Sequence, residues 1–495
     1  MSAQSALPLP GRPGPASRIS IALPYVSPAV REFLIREAGS AAVLLAATVA
    51  ALVWANLPGG SYESFWQLQT DLRVGSFALQ LDLRHVVNDA AMAIFFAVVG
   101  LEISREISVG ELRDRRTIIV PALGALGGLA LPALIYYAFE HNGPAAAGWG
   151  IPMSTDTAFL VGVLALFGPR CPDQLRLFLL ALAIVDDIGA ITVMAVFYTD
   201  DVSLPALAAA AVLVVALIGL RVARVWRLLP YALVGMALWL AVYRSGVHPT
   251  LAGALVGLIV PAAAVGPEHR QRLSYYGRAV IEAASPERVR LATAAARATV
   301  STNERLQDAL HPASAFVILP LFGLANAGVA LNWSALKDAS GSGVTIGVIT
   351  ALVVGNAVGI STAAGIALRT GLGALPGRVR YGHLIGGAVL AGIGFTIALF
   401  ITDLAFTDEV LRRDAKIGVL AGSLLAAVIG SVLLRYLGDR LPLCTVDTEG
   451  GPPPLPTGPW IDPTIERVAA LARARAEAME AEISAAQAQG RPQGA

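Results

Sequence analysis

The sequence predicts an all-α integral membrane protein of about twelve transmembrane helices built as inverted-topology repeats. Three observations carry this. Of 495 residues, 56% are hydrophobic and only 14% charged, whereas a soluble domain carries about a quarter charged residues. Apolar runs of bilayer length recur along most of the chain. Two of these runs, in different halves, are interrupted by polar residues, proline or glycine, which marks broken helices at membrane depth.

A bilayer core needs about 20 apolar residues per helix. Runs of that kind fall near 38–57, 85–104, 117–138, 150–168, 175–197, 203–222, 228–244, 247–265, 312–331, 344–369, 382–403 and 416–436. The two around Arg244 are joined by a very short connection. Lys and Arg set the orientation. With the N-terminus inside, the cytoplasmic segments hold Arg105, Arg113, Arg115, Arg116, Arg221, Arg224, Arg227, Arg378, Arg380 and the Arg-rich loop 266–311. The other face is poorer, and both termini read as cytoplasmic. One cluster, Arg412, Arg413 and Lys416, runs against the rule and is accompanied by Asp408, Glu409 and Asp414.

The first thirty residues are rich in Pro, Ser and Arg and read as a disordered cytoplasmic tail rather than a signal peptide. Residues 31–440 form the membrane domain. Residues 441–495 read as a Pro/Gly-rich linker over 449–459, then an amphipathic helix opened by Asp462 and Pro463. Cys171 and Cys444 form no CxxC and no metal spacing. Arg is scattered over loops without an aromatic platform, so no nucleic-acid partner is expected; the partner is the lipid bilayer.

Ionisable groups inside a bilayer cost a few kcal/mol each and face a cavity or a partner. The spans hold Asp89, Glu102, Asp156, Asp186 and Asp187. Glu102 sits at a span end, within reach of water. Asp186 and Asp187 lie in LLALAIVDDIGAIT, about eleven residues from either flank, or roughly 16 Å at 1.5 Å per residue. That is close to the midplane, where two adjacent carboxylates cannot both stay ionised alone. Either protons are bound or a cation sits between them. Those states are the two halves of an exchange reaction, because protons and a hard cation compete for the same oxygens.

Asp156 lies in GWGIPMSTDTAFLVG, where Pro152, Ser154, Thr155 and Thr157 make a continuous helix a poor solution. The stretch GGAVLAGIGFTIALF carries Gly386, Gly387, Gly392 and Gly394. Breaks of this kind expose helix ends and carbonyls at depth, and transporters build ion sites from them.

At these residues the chain resembles the NhaA-type sodium/proton antiporters of bacterial inner membranes, the system that also exemplifies broken inverted-repeat helices in general accounts of transporters. The matching stretches are NDAAMAIFFAVVGLEISRE (88–106), IPMSTDTAFLVGVLALFG (151–168), LALAIVDDIGAI (180–191), SGVHPTLAG (245–253), HPASAFVILPLFGLANAGV (311–329) and GIGFTIALF (392–400). The resemblance implies that the two broken helices cross, Thr155–Asp156 against Gly392–Thr396, with Asp156 offsetting helix-end dipoles. It implies Asp187 as the principal sodium ligand, with Asp186 beside it and Thr155 close to the ion. It links Glu102, Glu106 and His248 to a pH response. It also implies a bacterial inner-membrane location, a homodimer, and transported sodium, lithium and protons with no cofactor and no enzymatic chemistry.

One position departs from the family. Its tenth span usually places a lysine after a glycine, facing the Asp pair. Here VVGNAVGIS has Asn356. The only lysines are Lys337 and Lys416, both expected in loops. An amide donates a hydrogen bond but cannot neutralise a charge. Asp186 is therefore expected to be protonated when no sodium is bound, donating to Asn356 or to a backbone carbonyl, and to release that proton on ion binding. Exchange of two protons for one sodium, electrogenic and pH-regulated, then remains open. The rival readings are a sodium-coupled symporter of an organic anion, a divergent relative with weakened sodium transport, and a non-transporting scaffold or sensor. No mid-span arginine is present to hold an organic carboxylate.

Overall fold

The computed structural model describes residues 28–440 except 75–76, 111–114, 168–172, 200–201, 224, 226, 263–266 and 374–380. The anticipated helix after residue 460, both cysteines and most of the N-terminal tail lie outside the described residues. Residues 33–444 form one compact unit.

The chain opens with α1 (Pro28–Ala55), which starts inside the segment expected as tail, and a short α2 (Ser61–Trp66). A hairpin of β1 (Gln69–Val74) and β2 (Phe77–Asp82) follows, antiparallel, with Gln69 opposite Asp82 and Val74 opposite Phe77. It was not foreseen in the sequence, although Gly75–Ser76 between two alternating runs is a hairpin signal. Next come α3 (Leu83–Val109) and α4 (Arg115–Phe139). A 3-10 segment (Pro144–Met153) then leads into α5 (Thr157–Phe167), α6 (Asp173–Phe197), α7 (Leu204–Val222), α8 (Leu228–Tyr243) and α9 (Thr250–Ile259). The long connection contains α10 (Pro267–Glu282) and α11 (Pro286–Arg297). The chain continues with α12 (Thr302–Asn326), α13 (Trp333–Gly341) and α14 (Gly343–Arg369). It closes with α15 (Tyr381–Leu390), α16 (Phe395–Ala405) and α17 (Glu409–Arg440).

Among the described residues, seven helices are long and apolar enough to cross a membrane: α3, α4, α6, α7, α12, α14 and α17. The pair α15–α16 bends by 46° at a short break, and Gly39–Ala55, α8 and α9 are shorter apolar helices. Their apolar side chains face outward as well as inward. On α7, Val212 and Val215 are 68% and 66% exposed, which suits lipid rather than water as the surrounding solvent.

Three of the long helices contain a π-turn: Val86–Ala91 in α3, Ser314–Ile318 in α12 and Ala351–Gly355 in α14. A π-turn inserts one residue into the ladder and re-aims the side chains around it. Asn88 and Asp89 lie within the first, and Asn356 follows the last directly.

The helices form two groups. In one, α3 packs against α9 and α12, and α9 against α7 and α8; α1 joins through Leu44 and Thr48 against Gly323 of α12. In the other, α4 packs against α6 and α14, and α17 against α14, α15 and α16. Small residues allow the closest crossings, as is usual where no water-driven collapse holds helices together. The groups meet along a seam where α3 and α9 touch α6, and α12 touches α16. Phe400 of α16 fills that seam, with its ring against Phe96 of α3 and Phe322 of α12.

Two expectations are corrected. Lys416 is not in a loop. The helix α17 begins at Glu409, seven residues earlier than the apolar run, and Lys416 is buried at 6% exposure. Its ammonium is 2.8 Å from Asp403 Oδ1. Hydrophobicity alone put the helix start at the first apolar residues; a paired charge let it begin sooner. Lys337, likewise expected in a loop, stands on the short helix α13.

Candidate ion site

The two breaks lie against each other. After the 3-10 segment, Ser154 is extended, and regular α-helix resumes at Thr157. Opposite it, α15 ends at Leu390 and α16 starts at Phe395. Asp156 N–H donates to the Ile393 carbonyl at 2.6 Å. A helix start leaves its first N–H groups without partners, and here one carboxylate serves two such starts. Asp156 Oδ1 accepts from Phe159 N–H (3.1 Å) at the head of α5. Its Oδ2 accepts from Thr396 N–H (3.0 Å) at the head of α16, and from the Thr396 hydroxyl. The negative charge thus faces the positive ends of two helix dipoles.

Gly392 and Gly394 make the crossing close. A Cβ on Gly392 would stand 2.3 Å from the Leu352 carbonyl oxygen, and one on Gly394 would stand 2.7 Å from the Ser154 carbonyl oxygen. Neither position has space for a side chain.

Asp186 and Asp187 are the fourteenth and fifteenth residues of the 25-residue helix α6, hence at mid-depth. Both are buried, at 1% and 5% exposure. Asp186 Oδ2 accepts from Thr155 N–H (3.1 Å) and from Thr155 Oγ1 (2.7 Å). Thr155 Oγ1 also lies 2.9 Å from the Ala391 carbonyl. Asp187 takes no hydrogen bond from the described residues, and its charged neighbours are Asp186, Glu102 and Asp156. Around the pair and the first break, the buried oxygens without a partner include Asp186 Oδ1, Asp187 Oδ1, Ser154 Oγ and Asn356 Oδ1. Such orphans are rare and each calls for an explanation. The orphans on α6 and beside Thr155 are oxygens, which is the donor set a hard cation takes.

Thr155, expected close to the ion, donates to Asp186. The Asn356 amide does not meet Asp186 but reaches the carbonyls of Leu352 (3.3 Å) and Pro152 (3.5 Å). The π-turn before Asn356 sets that direction, and it ties α14 to the end of the 3-10 segment.

The three residues linked to pH response are not together. Glu102 is within electrostatic reach of Asp187, and Glu106 lies over the backbone of Gly110. His248 Nε2 is 4.0 Å from Asp89 Oδ1, its Nδ1 is 3.1 Å from Thr250 Oγ1, and its ring stands edge-on to Phe400. Asp89 and Glu102 are thirteen residues apart on α3, about 20 Å along the helix. The pairing of Asp89 with His248, and the reciprocal amide bonds between Asn88 and Asn326, were missed. The stretch NDAAMAIFF placed these polar residues at the head of a span, which was the available signal.

Comparison with known proteins follows from this geometry. The family model described as Na+/H+ antiporter 1 matches residues 31–434. The chain is 62% identical over 455 residues to Na(+)/H(+) antiporter NhaA 3 of Frankia alni, covering 92% of this chain and 98% of that protein. It is 45% identical over 399 residues to Na(+)/H(+) antiporter NhaA 1 of Mycobacterium sp. (strain JLS), covering 80% of this chain and 65% of that protein. It is 43% identical over 425 residues to Na(+)/H(+) antiporter NhaA of Syntrophobacter fumaroxidans, covering 82% of this chain and 90% of that protein.

Proposed function

The chain belongs to the Na+/H+ antiporter 1 family, and from that premise we propose that it exchanges sodium, and also lithium, for protons at the Asp186–Asp187 pair. The observation that carries this reading is the pair itself: two adjacent buried carboxylates at mid-span, each with an orphan oxygen, beside two crossed helix breaks. Sodium takes the ionised oxygens, and protons take the same oxygens when sodium leaves.

Thr155 supplies the switch between those states. A hydroxyl has one hydrogen, yet Thr155 Oγ1 is within bonding distance of both Asp186 Oδ2 and the Ala391 carbonyl. With Asp186 ionised, the hydroxyl donates to it. With Asp186 protonated, the acid donates to Thr155 Oγ1, and the hydroxyl turns to Ala391. Protonation of Asp186 therefore needs no acceptor at position 356. Asn356 holds the break through Pro152 instead, and Asp186 carries the proton that a lysine carries in relatives. Two protons for one sodium, an electrogenic exchange, then follows from two acids alone.

The wider architecture in this reading is twelve spans in inverted repeats within residues 31–440, both termini cytoplasmic, in the bacterial inner membrane, as a homodimer. Glu102, Glu106 and His248 tune the response to pH. Sodium-induced proton release from inverted vesicles tests the assignment. Wild type should release protons, and Asp187→Asn should lose the response; unchanged release in that variant removes Asp187 from the site. Transport currents in proteoliposomes test the stoichiometry, since strictly electroneutral exchange rules out two protons per sodium.

A further inference from the structure

The long connection between α9 and α12 is closed at its base. Asn303 N–H donates to the Pro261 carbonyl at 3.2 Å, so the excursion leaves and returns at one point. That point is tied to three helices. The Asn303 side-chain amide donates to the Leu101 carbonyl of α3 at 2.9 Å, and the Ser104 hydroxyl of α3 donates to the Val260 carbonyl at 3.4 Å. Arg221, in the last turn of α7, donates to the Ile259 carbonyl at the end of α9, at 3.4 Å. Both α3 and α7 are of membrane length, so the base of the excursion stands where apolar spans stop.

Beyond that base, α10 and α11 pack on each other and on no other helix to a comparable extent among the described residues. Ser285 caps α11, accepting from Arg288 N–H at 3.2 Å, and the Arg288 guanidinium turns back onto the Ala279 carbonyl of α10 at 2.9 Å. Leu273, Tyr276 and Val280 are half-buried on the inner side of α10. The outer side is mixed. Tyr275, Arg278 and Ile281 follow one another at three-residue spacing, along one side of the helix, with Tyr275 70% and Ile281 64% exposed. On α11, Val289, Thr293 and Arg297 are exposed at four-residue spacing. The charge is one-sided: residues 267–300 hold six arginines and three glutamates, with no lysine or aspartate. Glu268 and Glu287 lie in the first turns of α10 and α11, where the helix dipoles already face them. Arg270, Arg272, Arg278, Arg290 and Arg297 are all exposed.

We propose that the α10–α11 pair is a membrane-surface module that lies on anionic lipid headgroups beside the ends of α3, α7 and α9. Arginines interleaved with aromatic and aliphatic side chains are the composition of helices that rest in the headgroup plane. The arginines meet lipid phosphates, and the anionic surface potential draws them there. Tyr275 and Ile281 enter the boundary with the acyl chains. Two observations favour lipid over a protein partner. The base bonds hold the excursion at the level of the span ends, so lipid is always its neighbour. The exposed side also mixes charge and apolar groups, which the two-layered edge of a bilayer satisfies together. The proposal requires that the chain spans a bilayer and does not depend on what the Asp186–Asp187 pair exchanges.

The test is quenching of a fluorophore on α10 by spin-labelled lipid. In a chain with Cys171→Ser and Cys444→Ser, Gln271→Cys places a thiol on the exposed side of α10 and keeps Tyr275 and every arginine. The labelled protein is reconstituted in nanodiscs of phosphatidylcholine, with or without phosphatidylglycerol, each carrying lipid spin-labelled near the headgroup. Quenching should be strong in the phosphatidylglycerol discs at about 0.1 M salt. Most of it should be lost at about 1 M, where the screening length falls from about 10 Å to about 3 Å. Replacing Arg270, Arg272, Arg278 and Arg290 together with Gln should abolish it, and replacing the same four with Lys should preserve it. The lipid and salt comparisons use the unaltered charges, so they decide the matter even where the Gln variant fails to insert. Equal quenching in the two lipids, or none in either, overturns the proposal. So does quenching that survives loss of the four charges, since apolar seating alone would then be the cause. Shielding of the label from the quencher on addition of cytosolic extract, in phosphatidylglycerol discs, would assign the surface to a protein instead.

Discussion

Asp156 and Asp186 are both buried carboxylates, and the difference in their partners separates their work. Asp156 accepts from two helix starts and a hydroxyl, so both of its oxygens are engaged. Asp186 has one engaged oxygen and one free. The first is a cap, and the second is the titrating ligand of the proposed exchange. Replacing Asp156 with Ala uncaps α5 and α16 together, at about 0.5–2 kcal/mol for each cap. Thermal unfolding in detergent should fall accordingly for Asp156→Ala, and less for Asp156→Asn, which keeps an acceptor oxygen. Asp186→Asn makes a different prediction. With one titrating acid left, one proton exchanges for one sodium. Proteoliposomes carrying this variant should still exchange sodium for protons but without a transport current. A current that persists would place the second proton elsewhere. Thr155→Val removes the hydroxyl on which both states of Asp186 depend. A hydrogen bond to a charged group contributes about 1.5–3 kcal/mol, so exchange should fall roughly tenfold to a hundredfold, and Thr155→Ser should restore it.

At the level of elements, the breaks show what a sequence discloses. Pro152 and the run of Ser and Thr around Asp156 disfavour continuous helix by backbone chemistry alone, and Gly392 and Gly394 do so by conformational freedom. Local residues therefore told where both helices stop. They did not tell which carbonyl faces which N–H. The pairing of Asp156 N–H with Ile393, and of Thr155 with Asp186 rather than Asp187, depends on helices separated by more than two hundred residues in the first case and by thirty in the second. Asn356 makes the same point. Its depth was legible from its position in an apolar run, but its direction was not, because the π-turn at Ala351–Gly355 leaves no mark in the hydrophobic pattern. Lys416 erred for the opposite reason. A lone charge at the head of a run reads as loop, and only the distant Asp403 makes it helical and buried. Helix existence is written locally, whereas partner choice is not.

At the scale of the molecule, two helix groups touch along a seam, with the Asp pair on α6 of one group facing α3 of the other. Every residue assigned to ion binding, crossing or pH response lies between Glu102 and Thr396, inside the compact unit 33–444. The carboxylates are compensated by neighbours in that unit: helix starts for Asp156, Thr155 for Asp186, Lys416 for Asp403. In the proposed cycle, exchange needs relative motion of the two groups and titration of the pair, and both are contained there. Removal of residues 445–495 should therefore leave sodium-induced proton release in vesicles close to that of the full chain. The scaffold or sensor reading requires the opposite, since it assigns the output to the tail and the long loop. Loss of release on truncation, with the truncated protein inserted at normal abundance, would make the tail part of the transport cycle and show that the membrane unit is not sufficient for exchange.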